Sequence, residues 1–187
     1  MKYLKVIALF SKLKRFNDKL KNISGGGTTW DYTFENGITN KYTITKFRDF
    51  ESIQDDVENY FIWLWNLKDY LKSVAINKQK VEDNINDNNN LKISGDIANH
   101  LKHSNLTNSR SGLFPKLGKL QVILKQKNIS KIAFYKEEIK IEPIEVNEAE
   151  LSLPIYDKNN KIIIDAFELI KEAEKEWEKI YKNLKVV

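Results

Sequence analysis

Few residues in this chain could take part in proton or metal chemistry, and the most distinctive of them sit together between Asp96 and Leu106. The 187 residues include two histidines, His100 and His103, and no cysteine. Thiolate metal sites, disulfides and cysteine nucleophiles are therefore excluded, and an imidazole-bound metal would need Asp, Glu or Asn to complete its shell. No metal centre and no cofactor is expected. If residues 93–103 are helical, Asp96, Asn99 and His103 stand at i, i+3 and i+7, within about 60° of one another. Lys102 lies beside them. The sharpest chemistry for such a set is metal-independent RNA cleavage, with His103 as general acid or base and Arg110 stabilising the charged phosphorus centre, as in helical HEPN-like ribonucleases. Those enzymes carry the arginine a few residues ahead of the histidine, whereas Arg110 follows His103. Buried polar clusters ordinarily form satisfied networks, so the reading adopted is that Asp96, Asn99, Lys102 and His103 join two helices and cap the loop that follows.

Several elements must position this set. Ile53, Val57, Tyr60, Leu64, Leu67, Leu71 and Val74 alternate spacings of four and three, which predicts a helix over 52–74. Phe61, Ile62, Trp63 and Trp65 spread apolar surface almost around it, marking a central helix covered on several sides. On that wheel Asp69 falls between Trp65 and Ile62, where an unpaired carboxylate is costly; a partner is expected in His103 or Lys102 across a helix pair. A shorter helix carrying Ile93, Ile97 and Leu101 follows an Asn/Asp-rich break at 84–90. Asp165 and Glu168 resemble a capping box, opening a C-terminal helix with Ala166, Ile170, Ala173, Trp177, Ile180 and Leu184 on one stripe.

Trp30, Tyr32 and Phe34 alternate with Asp31 and Thr33, and Asn36-Gly37 predicts a type I′ turn into Ile38, Tyr42 and Ile44, hence a β-hairpin. Residues 120–124, 132–135, 138–144 and 161–164 read as short strands of an antiparallel meander. The fold class is thus α+β, a helical core of the central and C-terminal helices with a β-hairpin and a small antiparallel sheet. Seven basic residues (Lys2, Lys5, Lys12, Lys14, Arg15, Lys19, Lys21) against the single acid Asp18 make residues 1–24 a basic amphipathic helix expected to dock on a single domain, 25–187. Gly25, Gly26 and Gly27 punctuate the chain after it. They form no phosphate-binding loop, because no Gly-Lys-Ser/Thr follows.

A net charge of +5 describes a solvated surface, but Lys102, Arg110, Lys116 and Lys119, around an exposed loop at 104–118, could contact phosphates together with the first helix. Nucleic-acid binding is therefore the first alternative and the ribonuclease the second. The stretches Phe61-Ile-Trp-Leu-Trp-Asn-Leu-Lys-Asp69-Tyr70-Leu and Val81-Glu-Asp through Asp96-Ile-Ala-Asn99, Lys102-His103 and Leu106 resemble a family of bacterial and prophage proteins. Its pattern is an aromatic-rich helix ending in Leu-x-Asp-Trp, then Asp-x-x-Asn-x-x-Lys-His-x-x-Leu, and a later Trp matched by Trp177. Tyr70 replaces the usual Trp, and His100 stands where a small residue is common. The resemblance, over residues 50–110 and the C-terminal helix, implies a shared architecture and no particular reaction. The longest apolar run, Tyr60 to Trp65, is far shorter than a bilayer span needs, and Lys5 interrupts the only leader-like stretch. A cytoplasmic, phage- or defence-associated binding protein that meets a protein partner or dimerises is the function expected. An exposed apolar patch around Trp30, Tyr32 and Phe34 would favour it.

Overall fold

In the computed structural model, which describes residues 2–103 and 106–184, five helices and nine strands alternate along the chain. In order they are α1 (Lys2–Lys21), β1 (Thr28–Thr33), β2 (Thr39–Ile44), α2 (Phe50–Val74), α3 (Gln79–Asn86), α4 (Asn89–His103), β3 (Lys116–Leu117), β4 (Gln121–Ile123), β5 (Ile129–Phe134), β6 (Glu138–Pro143), β7 (Glu150–Ser152), β8 (Pro154–Tyr156), β9 (Ile162–Asp165) and α5 (Ala166–Asn183). The fold is α+β, as its residue pattern requires. Two compact units each draw on separated stretches: a helical unit of Met1–Lys19, Asp56–Lys119 and Leu153–Val187, and a sheet unit of Leu20–Asp55 and Leu120–Ser152. As far as Lys19 the first helix belongs to the helical unit, where its side chains meet α2 and α5.

In the helical unit, α1 buries Val6, Leu9 and Leu13, and the Tyr3 and Phe10 rings lie 6.1 and 5.2 Å from that of Tyr181 on α5. The expected stripe of α2 is fully buried from Val57 through Tyr60, Leu64 and Leu67 to Leu71. The Tyr60 hydroxyl donates to Glu174 of α5, which also accepts from Asn17 Nδ2 at 3.0 Å. Burial, together with the adjacent carboxylate, raises the Tyr60 pKa, so the phenol stays a donor. Asp165 caps α5 by accepting from the Phe167 amide at 2.8 Å, and its second oxygen accepts from the Leu153 amide at 2.8 Å, tying the helix start to the residue that precedes β8. Between α2 and α4 the break expected at 84–90 is narrower than its composition implies. Its first part continues α3, whose buried Val81 and Ile85 face the unit's core, and Asn88 then caps α4 through the Leu91 amide at 3.0 Å.

The sheet unit differs from the expected meander. Its main sheet has the order β1-β2-β6-β5, with β2 and β6 parallel and the outer pairs antiparallel. β4 pairs with β7 apart from it, while β9 pairs with β8 in the helical unit. Strands of three or four residues carry too little side-chain pattern to choose a partner, so tertiary packing chooses it. The first hairpin exists, but not with a type I′ turn. Gly37 alone takes a left-handed conformation, at φ 80°, its amide donates to the Phe34 carbonyl, and the Asn36 side chain accepts from the Ile38 amide. That is a type I turn followed by a left-handed glycine. Gly25 pairs its amide with the Lys46 carbonyl, and a Cβ there would sit 2.7 Å from the Arg48 Cα, so the glycine run is a close backbone crossing. Beneath it, Ile23, Ile44, Phe47, Ile53 and Val146 form the unit's core.

Candidate functional site

Three features could bind something: the polar set on α4, the basic face of α1 and one face of the main sheet.

The polar set begins with Asp96, fully buried on α4. Its carboxylate accepts four hydrogen bonds from one short segment: the Ser109 hydroxyl at 2.6 Å, the Arg110 amide at 2.8 Å, the Ser111 amide at 2.9 Å and the Ser111 hydroxyl at 2.7 Å. Ser109 Oγ and Ser111 Oγ in turn accept from the Phe114 and Leu113 amides, and Gly112 turns the chain at φ 74°. The described part of the loop expected to be open is therefore pinned to α4, and Pro115 is buried. Arg110, so placed, sends Nη1 to Glu82 Oε2 at 2.9 Å and stands with its guanidinium carbon 5.3 Å from the Trp65 ring centroid. Lys72 reaches the other Glu82 oxygen at 2.8 Å. Beneath the same indole, a Cβ on Gly95 would meet ring atoms at 2.6 to 2.8 Å, so α4 lies directly on Trp65, which packs edge-on to Trp177.

Partial burial pushes the Glu82 carboxyl up, but the hydrogen bonds and charges of Lys72 and Arg110 outweigh that and hold it down at about 2. Its folded value lies below the ordinary 4.5, so its contribution is complete above about pH 4.5 and fades as pH falls toward 2. In Glu82→Gln the stability deficit relative to the native chain should be greatest near neutrality and shrink between pH 4.5 and 2 in urea melts. A deficit of constant size across that window would dissociate Glu82 from the charge cluster.

The remaining sequence candidates are scattered. Asp69 needs correction: its side chain is 70% exposed and pairs with its neighbour Lys68 at 3.5 Å, with neither His103 nor Lys102. Solvent removes the desolvation cost that made a partner necessary. Lys102 is exposed and donates instead to Asn66 Oδ1 at 3.0 Å. Asn99 is half-buried, and His103 is exposed at the end of α4 with no hydrogen bond to another described residue. The network expected to join Asp96, Asn99, Lys102 and His103 thus reduces to Asp96 alone. His103 and Arg110 share no described contact, and the guanidinium a ribonuclease would aim at phosphate is held by Glu82. Lys116 and Lys119 are both exposed, Lys116 on β3. Ser104 and Asn105, the start of the loop, lie outside the described residues. Sequence reasoning gave no role to Gly95, Ser109 and Ser111, and named Glu82 only within the Val81-Glu-Asp stretch of the resemblance; the Ser-x-Ser-Gly turn was the one further signal available.

On α1, Lys12, Arg15, Phe16 and Lys19 line a shallow hollow of about 220 Å³. The Lys12 ammonium lies 2.9 Å from the Trp63 ring centroid, and desolvation followed by the charge of Arg15 lowers its pKa. Lys19 is engaged with buried Asp56 at 2.7 Å. Charge is divided unevenly along the chain: the helical unit holds 22 basic and 15 acidic residues, the sheet unit 9 and 11.

The sheet has two unlike faces. On one, Thr29 and Thr43 share a hydrogen bond, as do Thr33 and Thr39, and Thr43 donates to Glu138, with Lys41, Lys131 and Lys140 among them. On the other, strand register sets two apolar rows side by side. Thr28, Ile44, Ile141 and Ile132 form the inner row, where Ile44 belongs to the core. Trp30, Tyr42, Ile139 and Phe134 form the outer row, continued at the hairpin end by Tyr32 and Phe34. Trp30 stacks on Tyr42 at 5.6 Å, and Tyr32 meets Phe34 edge-on at 4.8 Å. Yet Trp30 is 38%, Tyr32 53% and Phe134 75% exposed.

The class defined by these features is an α+β protein in which the buried carboxylate of Asp96 is closed over by its own loop and the sheet leaves an aromatic face open. Comparison with known proteins finds no matching family model, no matching curated protein and no matching solved structure. Among the described residues no helix is long and apolar enough to cross a membrane, and no three His, Asp or Glu side chains converge as a metal site.

Proposed function

We propose that this chain is a protein-interaction module that docks its partner on the outer half of the aromatic sheet face. One observation carries the reading: the inner row is buried at Thr28 and Ile44 and opens only at its Ile132 end, while the outer row and its continuation present Trp30, Tyr32, Phe34 and Phe134 to solvent as one contiguous patch. Keeping aromatics bare costs solubility and invites aggregation, and a patch of this kind marks an interface more often than a bystander surface. A cytoplasmic setting and the phage or defence association implied by the resemblance belong to the same proposal. A photo-crosslinking side chain at position 134 should give a discrete adduct in the source cell, lost when Tyr32→Glu is added, while the same group at position 131 on the polar face gives none. Equal labelling from both faces, or none from either, would defeat this reading.

Nucleic-acid binding is the second reading, supported by the basic hollow on α1. Against it, the surplus of positive charge falls in the helical unit and most exposed aromatics fall in the sheet unit, which carries more acids than bases. Stacking and phosphate contact then draw on different units. Binding to single-stranded RNA whose logarithm falls steeply with the logarithm of salt, and weakens in Lys12→Ala with Arg15→Ala, would favour this second reading.

A further inference from the structure

We infer, resting on the interaction reading above, that the surface seated on this face is the same face of a second copy of the chain, making the protein a homodimer through its sheet units. Charge is the first argument. The outer row and its continuation, Trp30, Tyr42, Ile139, Phe134, Tyr32 and Phe34, contain no ionisable side chain except tyrosine phenols, while the lysines and glutamates of the same strands lie on the opposite face. A partner with a charged contact surface would bury its charges against nothing that answers them. A neutral, aromatic surface is the complement, and a copy of this chain supplies one. The sheet unit's near-balance of 9 basic and 11 acidic residues leaves little repulsion between two copies.

Area is the second argument. A fully buried aromatic contributes about 150–250 Å², so four aromatics at exposures of 38 to 75%, with Ile38 at 56% and Ile132 at 46%, offer on the order of 500–600 Å² of apolar surface. A stable interface takes about 800 Å² from each partner, a little over half of it apolar. The patch therefore matches what each half of a dimer must provide. Geometry is the third. Two identical sheets have the same twist, so they can stack face to face with strands about 30° apart and about 10 Å between them, the packing of a β-sandwich, and a two-fold axis makes the contact self-complementary.

Sedimentation equilibrium on the full chain from about 1 to 100 µM tests this, alongside the position-134 crosslink. The native chain should sediment at twice the monomer mass, and its crosslinked adduct should be a dimer of itself. Phe134→Glu and Tyr32→Glu should each weaken self-association about 100-fold or more, with unchanged far-UV circular dichroism, whereas Lys131→Glu on the polar face should not. Phe134→Ser, milder on folding, should weaken it in the same direction. A dimer indifferent to all three face substitutions uses another surface and overturns the inference. A native chain that stays monomeric to 100 µM also overturns it; a crosslink to a different protein would then leave the interaction reading standing, and no crosslink would remove both.

Discussion

Replacing Asp96 with alanine is expected to destabilise the helical unit by about 3–5 kcal/mol, among the largest losses any single substitution here can cause. Four donors converge on that carboxylate, two of them backbone amides of Arg110 and Ser111, and alanine leaves them buried without an acceptor. Water can answer them only if the segment lifts from α4, and lifting it also withdraws Arg110 from Glu82 and from the Trp65 face. The thermal midpoint should fall by roughly 10 °C or more. A second readout separates this loop-locking role from ordinary loss of core: tryptic cleavage after Arg110 should accelerate well before global unfolding. Asp96→Asn keeps the volume but turns an NH₂ group toward donors, so it should show the same protease sensitivity at a smaller thermal cost. Unchanged cleavage at Arg110 in both variants would mean that the carboxylate does not hold the loop.

Gly95→Ala makes a prediction whose sign discriminates between two principles. Helix propensity favours alanine over glycine inside a helix by roughly 1 kcal/mol, so an exposed Gly95 on α4 would gain stability from the change. Packing says the opposite. The new methyl would lie 2.6 Å from one Trp65 ring carbon and under 3 Å from two others. The indole has little room to retreat, with Trp177 edge-on at 6.3 Å and Arg110 at 5.3 Å. Overpacking of this kind costs typically about 1–3 kcal/mol, so after the gain of roughly 1 kcal/mol in propensity a net loss of about 1 kcal/mol is expected. Pairing the change with Trp65→Phe, which shrinks the ring, should restore most of the loss in a double-mutant cycle. If Gly95→Ala raises the urea midpoint, α4 does not lie against Trp65.

The same two sites show where sequence reasoning succeeds. Asp96 stood out because it shares one helical face with Asn99 and His103, and in the structure its carboxylate is buried and hydrogen-bonded. Two roles were expected of its set, joining two helices and capping the loop that follows. Asp96 binds a loop segment 13 to 15 residues later in the chain, while Asp69 and Lys102 turn to other residues. Asp69 misled for a related reason: a helical wheel places a residue between apolar neighbours but cannot tell which sector of a central helix is left to water.

Periodicity by itself determined α2 and α5 and the apolar stripes of α1 and α4, because helical hydrogen bonds are local and the face they create is written every three or four residues. It also determined the first hairpin, whose alternation and glycine turn lie within one short segment. Only the tertiary structure decided that β2 pairs in parallel with β6, nearly a hundred residues away, and that β4 and β9 leave the meander for separate partners. A strand's hydrogen-bonding edge is satisfied by any strand in register, so the sequence of one short strand does not name its neighbour. That choice assembles Trp30 and Tyr42 from one hairpin with Ile139 and Phe134 from another, and so creates the aromatic face that neither hairpin carries alone.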